Sequence, residues 1–224
     1  MDKRRLLFDF GESIAAPGNH LFILGDLFDF WFEWKRVIPR RHFVVLHHIR
    51  GWADKGLKLY YLAGNHDFRL GSFLREEIGF QTFEGALNFE AGGRKFHLFH
   101  GDGVMKSDAG YRFLKKVLRN RLNQKLFTAL HPDWGIKLAD LSSRLSREVN
   151  EDRRDYEFTP DYLEYARRKI EGEGFDFVIM AHTHLPLFRQ IGKGAYLNTG
   201  NWYRDFTYGL FQGGELKLEK YQER

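Results

Sequence analysis

The sequence predicts an α/β protein built on parallel strands. Helical and strand patterns alternate along the N-terminal part of the chain, and this order is typical of strands joined by crossover helices. Four short apolar runs also end in polar loops, and sheets of this kind bind ligands beyond the carboxyl ends of their strands. These two observations therefore predict the fold class and also the edge of the sheet at which a ligand site is expected.

The first half of the chain contains two helix and strand pairs. A helical pattern over residues 3 to 15 is followed, after a turn, by the apolar run Leu21 to Leu24. A second helix is predicted from Pro39 to Lys55, and the run Leu57 to Leu62 predicts a second buried strand. Each strand ends at a glycine that leads into a polar loop.

The second half repeats the strand pattern around a long helical segment. Strands are predicted over Lys95 to Phe99 and Phe175 to Met180, and the tail from Gly194 to Tyr221 alternates as antiparallel strands do. Between them lies an insertion of about residues 106 to 170. We predict a single domain over residues 1 to 224, with this insertion as a helical cap.

Composition narrows the class of protein. Of the 224 residues, 43% are hydrophobic and 17% aromatic, which excludes a disordered chain because enough apolar surface is available for burial. The absence of cysteine excludes disulfides, thiolate metal sites and thiol nucleophiles. No apolar run is long enough to span a bilayer, and we expect no export signal and a cytoplasmic location. The net charge of +5 favours anionic partners.

The polar loops contain donors for a divalent cation. Oxygen and imidazole nitrogen ligands suit Mn²⁺, Fe²⁺ or Zn²⁺, and their recurrence at four strand ends is a stronger signal than any single histidine. We expect Mn²⁺ first among these metals. The candidate ligands are Asp26, Asn65, His100, His182 and His184.

This series of motifs resembles the calcineurin-like metallophosphoesterases, whose pattern is D-x-H, GD, GNH[DE], H and G-H-x-H. The resemblance covers nearly the whole chain and implies a four-layer α/β/β/α sandwich. Within the family, the insertion and the segments Gly25 to Trp31 and His100 to Tyr111 are most similar to enzymes of lipid A synthesis. Those enzymes hydrolyse the diphosphate of UDP-2,3-diacylglucosamine to UMP and 2,3-diacylglucosamine 1-phosphate, on the cytoplasmic face of the inner membrane.

The resemblance also implies roles for the motif residues. Asp26 would bridge two metals, Asn65, His100 and His182 would complete one site, and His184 would belong to the other. His66, next to a ligand, would contact a phosphoryl oxygen or the leaving group as an acid or electrostatic clamp. Asp67 would either orient His66 or cap the loop.

Two features depart from the family pattern. Ala181 replaces the usual glycine before His182, and no D-x-H motif precedes Asp26. The complete family site holds two metals, and without that motif one of them loses two ligands. We therefore expect this chain to bind one metal and to turn over poorly.

The insertion has an amphipathic, basic pattern with two possible meanings. Between Tyr111 and Arg147 it carries nine Lys or Arg against two Asp. Its apolar stripe either packs on the core or forms a groove for acyl chains and a surface for anionic lipid. Candidate substrate contacts are Asp108 and Tyr111, with Arg144 and Arg147 near the diphosphate.

Three functions remain open at this stage. The first is hydrolysis of the UDP-linked acylated glucosamine by a peripheral membrane enzyme, with no nucleic acid partner. The second is another metallophosphodiesterase that acts on a cyclic nucleotide or on nucleic acid, which the basic charge permits. The third is a catalytically silent binding or scaffold protein of the same fold.

Overall fold

The computed structural model describes residues 2–105, 117, 120–138 and 160–222. The chain divides into two compact units, which are treated separately below. We call them the Asp26 unit, residues 7–84 and 108–155, and the His182 unit, residues 1–6, 85–107 and 156–224. The predicted substrate contacts Asp108, Tyr111, Arg144 and Arg147 lie outside the described residues.

The Asp26 unit contains a parallel sheet of three strands in the order β1 (His20–Ile23), β3 (Lys58–Leu62) and β5 (Phe80–Phe83). Four of the five residues of β3 are buried, as expected for a central strand covered on both faces. A second, two-stranded parallel pair joins β2 (Trp31–Phe32) to β4 (Asp67–Arg69). The parallel pairing places the carboxyl ends of β1 and β3 side by side.

Two helices flank this sheet in the sequence. Helix α1 covers Lys3–Ile14, and helix α2 covers Phe43–Asp54 after a 3-10 turn at Arg40–His42. Helix α2 buries Leu46, Ile49 and Trp52, which lie on one face because they are spaced three residues apart. The core formed by α2 and β3 also contains Trp31, Tyr61 and Leu74.

The insertion contributes helix α3 (Arg121–Ala129) and a helical segment over residues 132–138. Phe127 of α3 packs against the buried rings of Phe30, Phe32 and Trp34. Two hydrogen bonds join α3 to the β4 region: Arg69 Nη1 donates to Thr128 Oγ1 at 2.9 Å, and Gln124 Nε2 donates to the Phe68 carbonyl at 2.9 Å. The described part of the insertion is therefore helical, as predicted.

The His182 unit contains a five-stranded mixed sheet. Its strand order is β6 (Leu87–Ala91), β7 (Arg94–Leu98), β8 (Phe177–Met180), β10 (Gly194–Asn198) and β9 (Leu187–Ile191). Strands β7, β8 and β10 are parallel, and β6 and β9 are antiparallel to their neighbours. Helix α4 (Pro160–Arg167) buries Tyr162 and Ala166 in the core of this unit.

The tail differs from the expected antiparallel pattern. Strand β10 pairs in parallel with β8 on one side, and all five of its residues are buried, so it is a central strand. On its other side β10 is antiparallel to β9, and β11 (Thr207–Gln212) and β12 (Glu215–Lys220) form an antiparallel pair, as the alternation of the tail predicts. The predicted α/β class with parallel strands is confirmed.

Candidate metal centre

The first group of predicted ligands lies at the carboxyl ends of β1 and β3. Asp26 follows β1 through Gly25, and both residues have left-handed backbones, with φ of 53° and 84°. This conformation is strained for a residue with a side chain and persists only where neighbouring groups fix it. The two residues turn the chain sharply, so that the Asp26 side chain meets the loop after β3.

Hydrogen bonds join Asp26 to the loop of residues 64–67. The His66 amide donates to Asp26 Oδ1 at 2.8 Å, and the Asp26 amide donates to Asp67 Oδ2 at 2.9 Å. Gly64 must be a glycine, because a Cβ there would collide with the Asp26 carboxylate. The structure thus brings together Asp26, His66 and Asp67, and Asn65 directly precedes His66 in the same loop.

Asp67 has the contacts of a buried loop cap. Its carboxylate is 1% exposed and accepts from the amides of Asp26 and Gly64, each at 2.9 Å, and from the Tyr61 hydroxyl at 2.8 Å. Burial and the nearby Asp26 carboxylate raise the pKa of Asp67 to about 6, although the three donors oppose this shift. These contacts favour the loop-capping interpretation, and the catalytic role of Asp67 stays a prediction.

The second group of predicted ligands lies at the carboxyl ends of β7 and β8. His100 is 1% exposed, and its Nε2 lies 3.2 Å from Nδ1 of the half-buried His182. His184 is exposed. The structure therefore brings the His100 and His182 rings together, with their nitrogen atoms facing each other.

The backbone of the second group is also strained. His182 and His184 have φ of 64° and 60°, and the Thr183 amide donates to the Ala181 carbonyl at 2.7 Å, which closes a rare three-residue turn over His182. Four residues other than glycine have positive φ in the described part of the chain, and three of them are predicted ligands. Strain of this kind concentrates at functional sites.

Asn198 stabilises this turn, although it is not among the predicted site residues. Its Nδ2 donates to the Ala181 carbonyl at 2.7 Å and to Thr183 Oγ1 at 3.0 Å, and its Oδ1 accepts from the Gly200 amide at 3.0 Å. Asn198 is 1% exposed and is the last residue of the buried strand β10. The sequence signal for it is its position at a strand end, where the polar turn of residues 198–202 begins.

These donors fit a divalent cation in their chemistry. A carboxylate, an amide oxygen and imidazole nitrogens are suitable ligands, and two facing imidazoles 3.2 Å apart can coordinate one ion if both are neutral. Within the residues described, no group of three or more His, Asp or Glu side chains is arranged to hold a metal ion. The predicted sharing of one ion by the Asp26 and His182 units stays a prediction.

The family assignment follows from comparison with known proteins. The model of the calcineurin-like phosphoesterase family matches residues 2–186, so the chain belongs to this family of metal-dependent hydrolases of phosphate esters. The predicted family is thereby confirmed. No helix in the described ranges has the length and apolar character needed to cross a membrane.

Three relatives that share one enzyme name are similar to this chain over most of its length. The chain is similar to the UDP-2,3-diacylglucosamine hydrolase of Porphyromonas gingivalis, with 29% identity over all of this chain and 91% of the relative. The enzyme of the same name from Neisseria meningitidis serogroup B is 27% identical over 94% of this chain and 88% of its own. That from Haemophilus influenzae strain Rd is 26% identical over 90% of this chain and 84% of its own.

Proposed function

We propose that this chain hydrolyses the diphosphate of UDP-2,3-diacylglucosamine and releases UMP and 2,3-diacylglucosamine 1-phosphate. The observation that supports the proposal most is the similarity to hydrolases of that name over almost the entire chain. In the reaction, a water oxygen bonds to the phosphorus nearer the uridine, and the bond from that phosphorus to the bridging oxygen breaks. The acylated sugar phosphate leaves with the bridging oxygen.

The proposed site residues have distinct tasks in this reaction. A bound divalent cation, for which we propose Mn²⁺, acts as a Lewis acid toward phosphoryl oxygens and lowers the pKa of water. Asp26, Asn65, His100 and His182 are the proposed ligands, with His184 for a second ion. The loop that holds His66 is fixed by the hydrogen bond that the His66 amide donates to the Asp26 carboxylate, and we expect the imidazole to contact a phosphoryl oxygen or the leaving group.

The insertion is the proposed lipid contact and places the enzyme on the anionic cytoplasmic face of the inner membrane. Its helices expose large apolar side chains: Leu122 is 63% exposed, Leu126 is 64% and Trp134 is 66%. Lys125 lies between the two leucines in sequence, and Lys137 is close to the Trp134 ring, at 5.5 Å from its centroid. Apolar side chains beside cations suit an interfacial substrate.

A substrate panel tests the proposed reaction. With added Mn²⁺, we expect the purified chain to release UMP from UDP-2,3-diacylglucosamine faster than it cleaves ADP-ribose, cyclic AMP or single-stranded DNA. Preference for cyclic AMP or DNA would instead establish the second metallophosphodiesterase function. Failure to cleave even a generic aryl phosphodiester would favour the silent scaffold.

A matched pair of variants tests the lipid contact. We expect Leu122→Lys to raise the KM for the diacylated substrate by about tenfold, because a charge replaces apolar contact area, and to leave turnover of a short aryl phosphodiester unchanged. Phe188→Lys is the control, since Phe188 is 41% exposed on β9 of the other unit. Equal loss on both substrates in Leu122→Lys would contradict the lipid contact.

A further inference from the structure

Tyr61 joins the two loops of the Asp26 unit through its hydroxyl group. This residue lies in β3 and is fully buried. Its hydroxyl donates to Asp67 Oδ1 at 2.8 Å and accepts from the Leu27 amide at 3.3 Å. No motif in the sequence includes Tyr61.

The strained backbone of Asp26 depends on this hydroxyl in two ways. The amide of Asp26 donates to Asp67 Oδ2, and the next amide, that of Leu27, donates to Tyr61. Both amides that flank the left-handed φ of 53° are therefore fixed by the Tyr61 and Asp67 pair. The Asp26 and Gly64 amides occupy Oδ2 of Asp67, and the Tyr61 hydroxyl occupies Oδ1. With both oxygens engaged, the carboxylate is held in one orientation.

We propose that Tyr61 is a positioning residue of the metal centre, which sets the location of the Asp26 carboxylate through Asp67 and the Leu27 amide. The proposal rests on the proposed role of Asp26 as a metal ligand. Hydrogen bonds to residues that orient metal ligands commonly change metal affinity tenfold to a hundredfold when they are removed. Tyr61 is therefore expected to control affinity although it does not touch the ion.

The chain supplies a matched control in the preceding residue. Tyr60 is also buried in β3, but its side chain points to the opposite face of the strand, and its hydroxyl lies 3.1 Å from Nδ1 of His20. Tyr61→Phe and Tyr60→Phe each remove the hydroxyl of a buried tyrosine and keep the ring. Any general effect of losing a tyrosine hydrogen bond from β3 should therefore appear in both variants.

Two measurements on the full chain test the proposal without substrate. Titration with Mn²⁺, followed by the electron paramagnetic resonance signal of the free ion, should show at least about tenfold weaker binding in Tyr61→Phe and unchanged binding in Tyr60→Phe. Hydrogen exchange in the metal-free protein should be faster at the Leu27 amide only in Tyr61→Phe. Because neither measurement uses a nucleotide lipid, failure of the proposed reaction would not affect them.

A double-mutant cycle tests the route through Asp67. Because Tyr61 acts partly by orienting that carboxylate and partly through the Leu27 amide, the loss of Mn²⁺ affinity in the Tyr61→Phe, Asp67→Asn double variant should be clearly smaller than the two single losses combined. Wild-type Mn²⁺ affinity in Tyr61→Phe, or an equal loss in Tyr60→Phe, would overturn the proposal. So would fully additive losses in the double variant.

Discussion

The Asp26 loop (residues 24–28) and the His182 loop (residues 181–185) are each stabilised by a buried polar side chain, which accepts hydrogen bonds in the first loop and donates them in the second. Each follows a parallel strand and holds a proposed ligand in a left-handed backbone. In the Asp26 loop, two amide N–H groups point inward: that of Asp26 donates to the buried carboxylate of Asp67, and that of Leu27 donates to the buried hydroxyl of Tyr61. In the His182 loop, a carbonyl and a hydroxyl point inward, and the buried donor Asn198 meets them.

This difference shows that the orientation of the backbone decides the chemistry of the stabilising side chain. A buried carboxylate satisfies several amides but has an ionised form that burial disfavours, which is the reason for the raised pKa of Asp67. A buried amide side chain has no charge and can donate and accept at once. Exchange of the carboxylate for an amide at Asp67 and of the amide for a carboxylate at Asn198 should therefore change the stability of the protein by different amounts.

The largest expected effect is loss of a proposed ligand from either loop. We expect Asp26→Ala and His182→Ala each to reduce bound metal in elemental analysis and to lower turnover by about 10² to 10⁴, because stabilisation of the transition-state charge is lost. His47→Ala, a change at an exposed histidine of α2, is the control. Unchanged metal content in one of the two ligand variants would mean that its loop does not contribute to the centre.

The reciprocal exchange of the two stabilising residues should have a smaller, unequal effect. Asn198→Asp replaces a donor with an oxygen that faces the Ala181 carbonyl, so we expect a loss of about 3 kcal/mol in the free energy of unfolding. Asp67→Asn removes a buried charge, and a loss of about 1 kcal/mol is expected. Urea unfolding measures both values. A larger loss for Asp67→Asn than for Asn198→Asp would contradict the comparison.

The smallest expected effect concerns pH and the strand that leads to His100. Burial, followed by the charge of Lys169, lowers the pKa of His97 to about 4, and the carboxylate of Glu173 opposes this shift. The neutral His97 ring contacts Asn88 Oδ1 at 2.8 Å and the Tyr165 hydroxyl at 2.9 Å. The folded protein therefore resists protonation of this ring while the unfolded chain does not.

His97 should consequently destabilise the protein in acid. Its contribution to stability is complete above its ordinary pKa of 6.5 and is lost progressively as the pH falls toward 4. Urea unfolding of the metal-free protein at several pH values measures this slope, and His97→Gln should reduce it. An equal slope in wild type and His97→Gln would show that other groups dominate.

The sequence by itself determined the fold class and the proposed ligands. Helix α1, strand β3 and strand β8 lie close to their predicted positions because runs of buried apolar residues and turn residues are local signals. Asp26, Asn65, His100 and His182 could be selected because each follows such a run within a few residues. Polar groups after a buried strand are visible without knowledge of any contact.

Only the tertiary structure decided which residues hold those ligands in place. Tyr61 and Asn198 belong to buried strands, and their polar atoms find partners in loops distant in sequence: Leu27 lies 34 residues from Tyr61, and Ala181 lies 17 from Asn198. Strand β10 likewise pairs in parallel with β8, although the tail alternates as antiparallel strands do. A hydrogen bond between distant residues leaves no local pattern, because its geometry exists only after the strands have paired.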